Sequence, residues 1–516
     1  MTHRHLVFDV NVLLDLLLHR GDTHAIEALI EKLGEEEATG WLAAQSLATL
    51  EYLLRRQLKQ DGAPPEEAKR IARSLLGWLC ERLNLLSLPG DESRELIHTA
   101  TDLEDAQLVL AASALEGDVC IVTRDTRLVA WEGVSVHAPE KLLRLNEDII
   151  TVAKVPVLDL APEQRQILPK LERNLRQTLK SGQFIMGPEV KAFEEEVADY
   201  LGVKHAIGVN SGTDALIIGL RALDIGPGDE VITTPFSFFA TAESISNVGA
   251  KPVFVDVQES SFNIDPDLIE KKITARTKAI MPVHLFGRPC EMDAIMAIAK
   301  KHRLKVIEDC AQSFGARYQG QQTGAIGEVG AFSFFPSKNL GAYGDGGLIV
   351  TNDERTAELA RMLRAHGSKK KYHNELLGYN SRLDSLQAAI LRVKLPHIDA
   401  WNTQRREVAK RYNELLADPG VITPEIADGH VFHQYTIRLT GASRDEVQAK
   451  LQAQGISTMV YYPIPQDRLP VYNGQYPANP VSDRLAGQVL SLPSWPTIDA
   501  ATQAQVAKRL LEALAL

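Results

Sequence analysis

Apolar and polar positions follow two periods along this chain, and the two periods take turns. HLVFDVNVLLDLLL (5–18) opens with a short apolar run, breaks at Asp9, then resumes with apolar residues three and four apart. That order predicts strand, turn and helix. Helical patterns continue in AIEALIEKL (25–33), SLATLEYLLRRQL (46–58) and DLEDAQLVLAASALEG (102–117), the last with Asp102 as its N-cap, and VCIVTRD (119–125) is a β-branched strand. The amphipathic PEKLLRL (139–145) closes this segment, and NEDIITVAKVPVLDLAP (146–162) reads as a linker. Strands alternating with helices predict a small α/β domain over residues 1–147.

The alternation resumes on a larger scale after the linker. HAIGV, EVITTP, KPVFVDV, KAIMPVHLF, KVIEDC, GAFSFF and GLIVTN read as strands, with DALIIGLRAL, ATAESISNVG and MDAIMAIAKKH as helices among them. This predicts a doubly wound, mostly parallel sheet over residues 148–395. HQYTIRLT, SRDEVQAKLQAQG and ISTMVYYP predict a smaller α+β domain over 396–516.

Composition narrows the class. The 516 residues are 45% hydrophobic and 24% charged, as in ordinary globular domains. No apolar run is long enough to span a bilayer, the start MTHRHLVFDV has no secretory h-region, and the four cysteines (80, 120, 290, 310) have no metal-ligand spacing. These features predict a cytoplasmic protein with reduced thiols. Nearly all of the net charge of −11 falls in residues 1–147, which opposes a broad nucleic-acid surface there.

Three groups at predicted strand ends carry candidate chemistry. In FFPSKNLGAYGDGG (334–347), Lys338 follows the buried run AFSFF, and desolvation there would lower its pKa toward a nucleophilic neutral amine. A lysine that merely ends a strand is the alternative. VNSGTDAL (209–216) passes from strand to helix through a turn whose free N–H groups can hold a phosphate, or which is an ordinary N-cap. KVIEDCAQSFGA (305–316) ends on Glu308 and Asp309, either of which can pair with a cationic ring nitrogen or stay solvated. Together the lysine, acid and cup match the needs of pyridoxal 5′-phosphate.

SGTDAL, EDCAQSFGA, FSFFPSKNLGAYGDGG and GYNSRLDSLQAAIL, with GQFIMGPEVKAFEEEVADYLG before them, closely resemble the sugar aminotransferases of the DegT–DnrJ–StrS type over about 155–516. The resemblance implies a homodimeric, fold-type I pyridoxal phosphate enzyme that aminates a ketone on a nucleotide-linked sugar, with glutamate as donor. It makes Lys338 the covalent anchor, Asp309 the partner of the pyridine nitrogen and Gln312 a contact on the side of the ring oxygen. Gly212, Thr213 and Ser333 would hold the phosphate, Phe239 would stack on the ring, and Asn380 would arrive from the other subunit. Relatives that are dehydratases carry histidine at the lysine position, so Lys338 favours transamination. NSRLD (380–384) and YYPIPQ (461–466) look like the members that aminate C3, although Tyr461 stands where a histidine is frequent. Arg382 fits either an anion contact or a structural ion pair.

Residues 1–145 resemble the PIN domains of metal-dependent ribonucleases and VapC-like toxins through LVFDVNVLLDLLLHR, DLEDAQLVLAASAL, IVTRDTRL and VHAPEKLLRL. That resemblance implies Mg²⁺ or Mn²⁺ held by Asp9, Asp105 and Asp125. Thr49 stands where a fourth acid is usual, with Glu51 two residues on. The leading expectation is therefore a sugar-nucleotide aminotransferase carrying a PIN-like domain with weak nucleic-acid contact. The alternatives are a PIN-type ribonuclease or toxin on a dimeric scaffold, or a PIN part serving as an inactive interaction module.

Overall fold

A computed structural model describes residues 5–18, 23–33, 39–44, 46–86, 108, 112, 115, 119–124, 134–139, 155–370, 372–472 and 474–515. The chain separates into two compact units, Met1–Val152 and Ala153–Leu516.

In the first unit, five strands form one sheet in the order β3-β2-β1-β4-β5: β1 (His5–Phe8), β2 (Thr39–Ala43), β3 (Asn84–Leu86), β4 (Val119–Val122) and β5 (Val134–His137). Every pairing is parallel. Helices Val10–Leu17, His24–Lys32, Ser46–Gln60 and Pro65–Cys80 accompany it. Leu6, Phe8, Leu13, Ile26, Leu42, Leu50 and Val122 share its core. The apolar spacing of three and four in the helices and the continuous apolar run in β4 follow from burial on one stripe and on both faces respectively. Of the helix expected over 102–117 only 108, 112 and 115 are described, and of the segment 139–145 only 139; most of the linker falls outside the described residues.

The second unit is built on a seven-stranded sheet ordered β6-β14-β13-β10-β9-β7-β8. Its strands are β6 (His205–Val209), β7 (Glu230–Thr233), β8 (Lys251–Phe254), β9 (Thr277–Ile280), β10 (Lys305–Asp309), β13 (Val329–Ser333) and β14 (Gly347–Thr351), with a small hairpin of β11 (Arg317–Tyr318) and β12 (Gln321–Gln322) between β10 and β13. Only β14 runs antiparallel to its neighbours, so the rest of the sheet points its carboxyl ends the same way. A further hairpin, β15 (Ser368–Lys370) and β16 (His373–Asn374), precedes a second small sheet of β17 (Val421–Ile422), β18 (Tyr435–Leu439) and β19 (Val489–Leu492). Helix Arg444–Ala453 packs there with Ala500–Ala515 around Tyr412, Tyr435, Val447 and Leu490. ISTMVYYP forms no strand; it contributes single bridges, Ile456 to Val155 and Met459 to Ser491.

Candidate functional site

At the carboxyl ends of the parallel strands lies a cavity of about 410 Å³. It takes Gly212 and Thr213 from the end of β6, Asp309 and Gln312 from the end of β10, and Ser333 and Lys338 from the end of β13. These residues converge because parallel strands deliver their final side chains to one edge of the sheet.

The turn after β6 enters the helix Gly212–Ala222, with Ser211 as N-cap accepting from the Asp214 amide. First-turn amides have no acceptor within their own helix, so the Gly212 and Thr213 N–H groups are open toward the cavity. A Cβ on Gly212 would sit 2.6 Å from the Cβ of Ser333, so the cup closes this tightly only with glycine there. Gly347 is constrained in the same way: its Cβ would meet the Ser211 carbonyl oxygen at 2.2 Å.

Asp309 is buried. Its Oδ2 accepts from Thr241 Oγ1 at 2.8 Å and its Oδ1 from the Ala311 amide at 3.1 Å. Burial pushes this carboxyl up, while Thr241, the Ala311 amide and the charge of Lys338 pull against that. Glu308, next to it, has another job. Its carboxylate accepts from the amides of Gly324, Ile326 and Gly327 at 2.7–2.8 Å and contacts His284 Nε2 at 3.0 Å. His284, Glu308 and Cys310 are the one group of three metal-type ligands among the described residues. Glu308 spends its lone pairs on those backbone donors, so the group is a structural clasp.

Lys338 sits in a turn whose amide donates to the Phe335 carbonyl at 2.8 Å. Burial lowers its amine to about 8, against the opposing pull of Asp309. Gln312 is held by the chain: Oε1 accepts from the Phe286 amide at 2.7 Å and Nε2 donates to the Tyr462 hydroxyl at 2.9 Å. One of its amide hydrogens is left for a ligand.

Phe239 does not face the cavity. Its neighbour Phe238, 60% exposed, stands on the cavity wall with Phe335, Tyr461 and Tyr462, whereas Phe239 packs with Ala242, Phe254 and Tyr472. The chain is already αR at Phe239, ahead of the helix Ala240–Asn247, and that turns its ring onto Tyr472 at 6.1 Å between centroids. Asn380 also lies outside its own chain's cavity, exposed and bonded to Arg382. Sequence reasoning did not single out Thr241, His433, Gln434 or Tyr462, which also line the wall. All four lay in quoted stretches, where they were read only as parts of an element or motif.

In the first unit Asp9 ends β1, is buried, and accepts from Thr123 Oγ1 at 2.7 Å. Parallel pairing of β1 with β4 brings the two together. Asp105 and Asp125 lie outside the described residues. Glu51 is paired with Arg55 and Arg73, each at 3.5 Å.

Among known proteins, residues 166–511 match the model of the DegT/DnrJ/EryC1/StrS aminotransferase family, and residues 5–127 match that of the PIN domain. A pleiotropic regulatory protein of Geobacillus stearothermophilus is 51% identical over 369 residues, covering 69% of this chain and 98% of the relative. A UDP-N-acetyl-3-dehydro-alpha-D-glucosamine 3-aminotransferase of Acidithiobacillus ferrooxidans is 49% identical over 347 residues, covering 67% and 94%. The crystal structure of S. venezuelae DesV in complex with a ketimine intermediate superposes with a TM-score of 0.68 at 43% identity, covering 70% of this chain and 99% of that one.

Proposed function

We propose, from the premise that this chain belongs to the DegT/DnrJ/EryC1/StrS aminotransferase family, that its second unit aminates the C3 ketone of a nucleotide-linked sugar using pyridoxal 5′-phosphate and glutamate. The observation that carries this reading is the half-buried Lys338, its amine lowered to about 8, sharing one cavity with Asp309 and two open helix-terminal amides. The name of the Acidithiobacillus relative supports C3 as the position.

The residues present fit the cofactor. Gly212, Thr213 and Ser333 would hold its phosphate on the open amides and a hydroxyl, and Phe238 offers a ring face. Asp309 is an acid that burial leaves short of a cation, which a protonated ring nitrogen would supply. When bound, the cofactor supplies an electron sink for the carbon that loses its proton. Lys338 Nζ would anchor it and, as a free amine, would take up the proton that the donor α-carbon gives up. Asp309 would hold the ring nitrogen's proton. Gln312 would contact the ring-oxygen side through its remaining amide hydrogen. Two successive half-reactions on one site should give ping-pong kinetics.

Among the described residues, Lys338 is the only lysine or arginine on the cavity wall. One cation for a phosphate and a dicarboxylate donor leaves the site undercharged, which supports a homodimer in which Asn380 and its neighbour Arg382 complete the partner's cavity. We place this chemistry in the cytoplasm; no helix among the described residues is long and apolar enough to cross a membrane. For the first unit, the strand-end position of Asp9 supports one Mg²⁺ or Mn²⁺ held with Asp105 and Asp125, and the local acidity supports a weak nuclease at best. RNA cleavage under Mn²⁺ titration that is rapid and lost in Asp9→Asn would overturn that last point.

The deciding experiment incubates the purified protein with glutamate and UDP- or dTDP-linked 3-keto and 4-keto sugars. NMR of the product should show nitrogen at C3. Nitrogen at C4, or turnover by a monomer in sedimentation at assay concentration, would sink the respective part of the reading.

A further inference from the structure

His433 stands on the wall of the Lys338 cavity just before β18 and is buried. A chain of amides fixes which of its nitrogens carries hydrogen. Asn402 Nδ2 donates to the Phe314 carbonyl at 3.0 Å, so its Oδ1 is an acceptor, and it receives Asn339 Nδ2 at 2.7 Å. Asn339 Nδ2 also donates to the Val431 carbonyl at 3.2 Å. A carbonyl can only accept, so both amides have one orientation. The Oδ1 of Asn339 therefore faces His433 Nδ1 at 3.0 Å as an acceptor, and Nδ1 must be the N–H.

The ring is also neutral. Burial drives its pKa far below the ordinary histidine value, and the charges of Lys338 and Arg405 push the same way. A neutral ring with hydrogen on Nδ1 has a bare lone pair on Nε2. That nitrogen makes no hydrogen bond to any described residue, and its ring borders the cavity. Its amide anchor, Asn339, is the residue directly after Lys338, and the His433 amide is itself pinned to the Phe286 carbonyl at 2.9 Å. The acceptor and the lysine therefore belong to one rigid frame.

We propose that His433 is a positioning residue for Lys338: its Nε2 accepts the hydrogen bond of the Lys338 amine whenever that amine is free in the cavity. This rests on the reading of Lys338 as the anchor, but concerns the free amine only. A neutral acceptor favours the ammonium over the amine without bringing a charge of its own. Asp309 is the charged group that acts on Lys338, and it too favours the ammonium. Between them, acid and imidazole would keep a displaced lysine aimed into the cavity, ready to give its proton back.

Two substitutions separate this role from packing. His433→Asn keeps a donor where Nδ1 stands and removes the acceptor at Nε2; His433→Gln restores a polar acceptor at the Nε2 position and gives up the Asn339 bond. The full chain freed of cofactor is labelled by reductive methylation across pH, and the Lys338 peptide is followed by mass spectrometry. His433→Asn should move the labelling midpoint down by about one pH unit, and His433→Gln should leave it within a few tenths. An unmoved midpoint in His433→Asn, or equal shifts in both, overturns the proposal. In the unsubstituted protein, ¹⁵N spectra should show His433 Nε2 unprotonated from pH 6 to 8, and a protonated Nε2 overturns it without any variant. Neither readout depends on transamination, so a failed sugar assay leaves this result standing and the reverse also holds.

Discussion

Thr241 gives its hydroxyl proton to Asp309 Oδ2 at 2.8 Å, and Ser237 lies 3.1 Å behind it. Because the Thr241 proton is committed to the carboxylate, the Ser237 hydroxyl is left to donate to Thr241. The helix Ala240–Asn247 thus serves the acid at the end of β10, a link between two segments that share no sequence pattern.

Thr241→Val keeps the shape and removes the donor. A buried carboxylate that loses a hydrogen bond costs about 1–3 kcal/mol, so the variant should denature at lower urea and hold pyridoxal phosphate about tenfold more weakly. Equilibrium dialysis and denaturation of the cofactor-free chain measure the two separately. Unchanged affinity would mean that Asp309 is not the ring-nitrogen partner.

Lys338 makes stability depend on pH in a definite direction. Its folded pKa of about 8 lies below the ordinary lysine value of 10.5, so between those values the unfolded chain binds more protons and stability rises with pH. Below about 8 both states are protonated and the cost of the buried ammonium is present in full. Lys338→Met should therefore stabilise the cofactor-free protein by on the order of 2–3 kcal/mol at pH 7, with the gain fading toward pH 10.5. Chemical denaturation at a series of pH values gives the curve.

The same titration governs loading. Only the neutral amine attacks an aldehyde, so the rate of pyridoxal phosphate capture should climb about tenfold per pH unit below 8 and level off above about 9. Stopped-flow absorbance would follow it. A flat profile between pH 6 and 8 would contradict the lowered amine.

Phe238 and Phe239 should separate function from packing. Phe238→Ala removes an exposed ring from the cavity wall and should weaken cofactor binding with under about 0.5 kcal/mol lost in stability. Phe239→Ala empties a place beside Phe254 and Tyr472 and should cost about 2 kcal/mol with little effect on affinity.

Gly212→Ala tests the cup. The added methyl meets Ser333 at 2.6 Å, so the turn must open. Overpacking of this kind costs about 1–3 kcal/mol, and the phosphate amides move with it. Affinity for pyridoxal phosphate should fall more than affinity for pyridoxal, which lacks the phosphate.

The strands of the large sheet were legible because parallel strands buried on both faces read as unbroken apolar runs, and their last residues were legible as chemistry because the sheet sends them to one edge. Glu308 and Asp309 could not be told apart from KVIEDC. Successive strand residues face opposite ways, and which face meets the cavity depends on the distant amides of 324–327 that capture Glu308. The placing of Phe239, which closes the run FSFF at 236–239, failed for a related reason. The run crosses from extended chain into the helix at Ala240, where neither a period of two nor one of 3.6 holds. His433 depended on Asn339, Asn402 and Val431, three positions spread along the chain whose partnership no local pattern records.

The cavity wall draws on residues from Ser211 to Tyr462, and the strand bearing the phosphate turn pairs with β14, which follows Lys338 in the chain. Its loops close late. Contacts of such high sequence separation form slowly, and a ribosome must release most of the second unit before the wall can be completed. A nascent chain halted before His433 would already carry Lys338 and Asp309, yet without one side of their enclosure, and its lysine would be closer to water and to an ordinary pKa. Cofactor loading thereby waits on the segment that carries His433 and Tyr462.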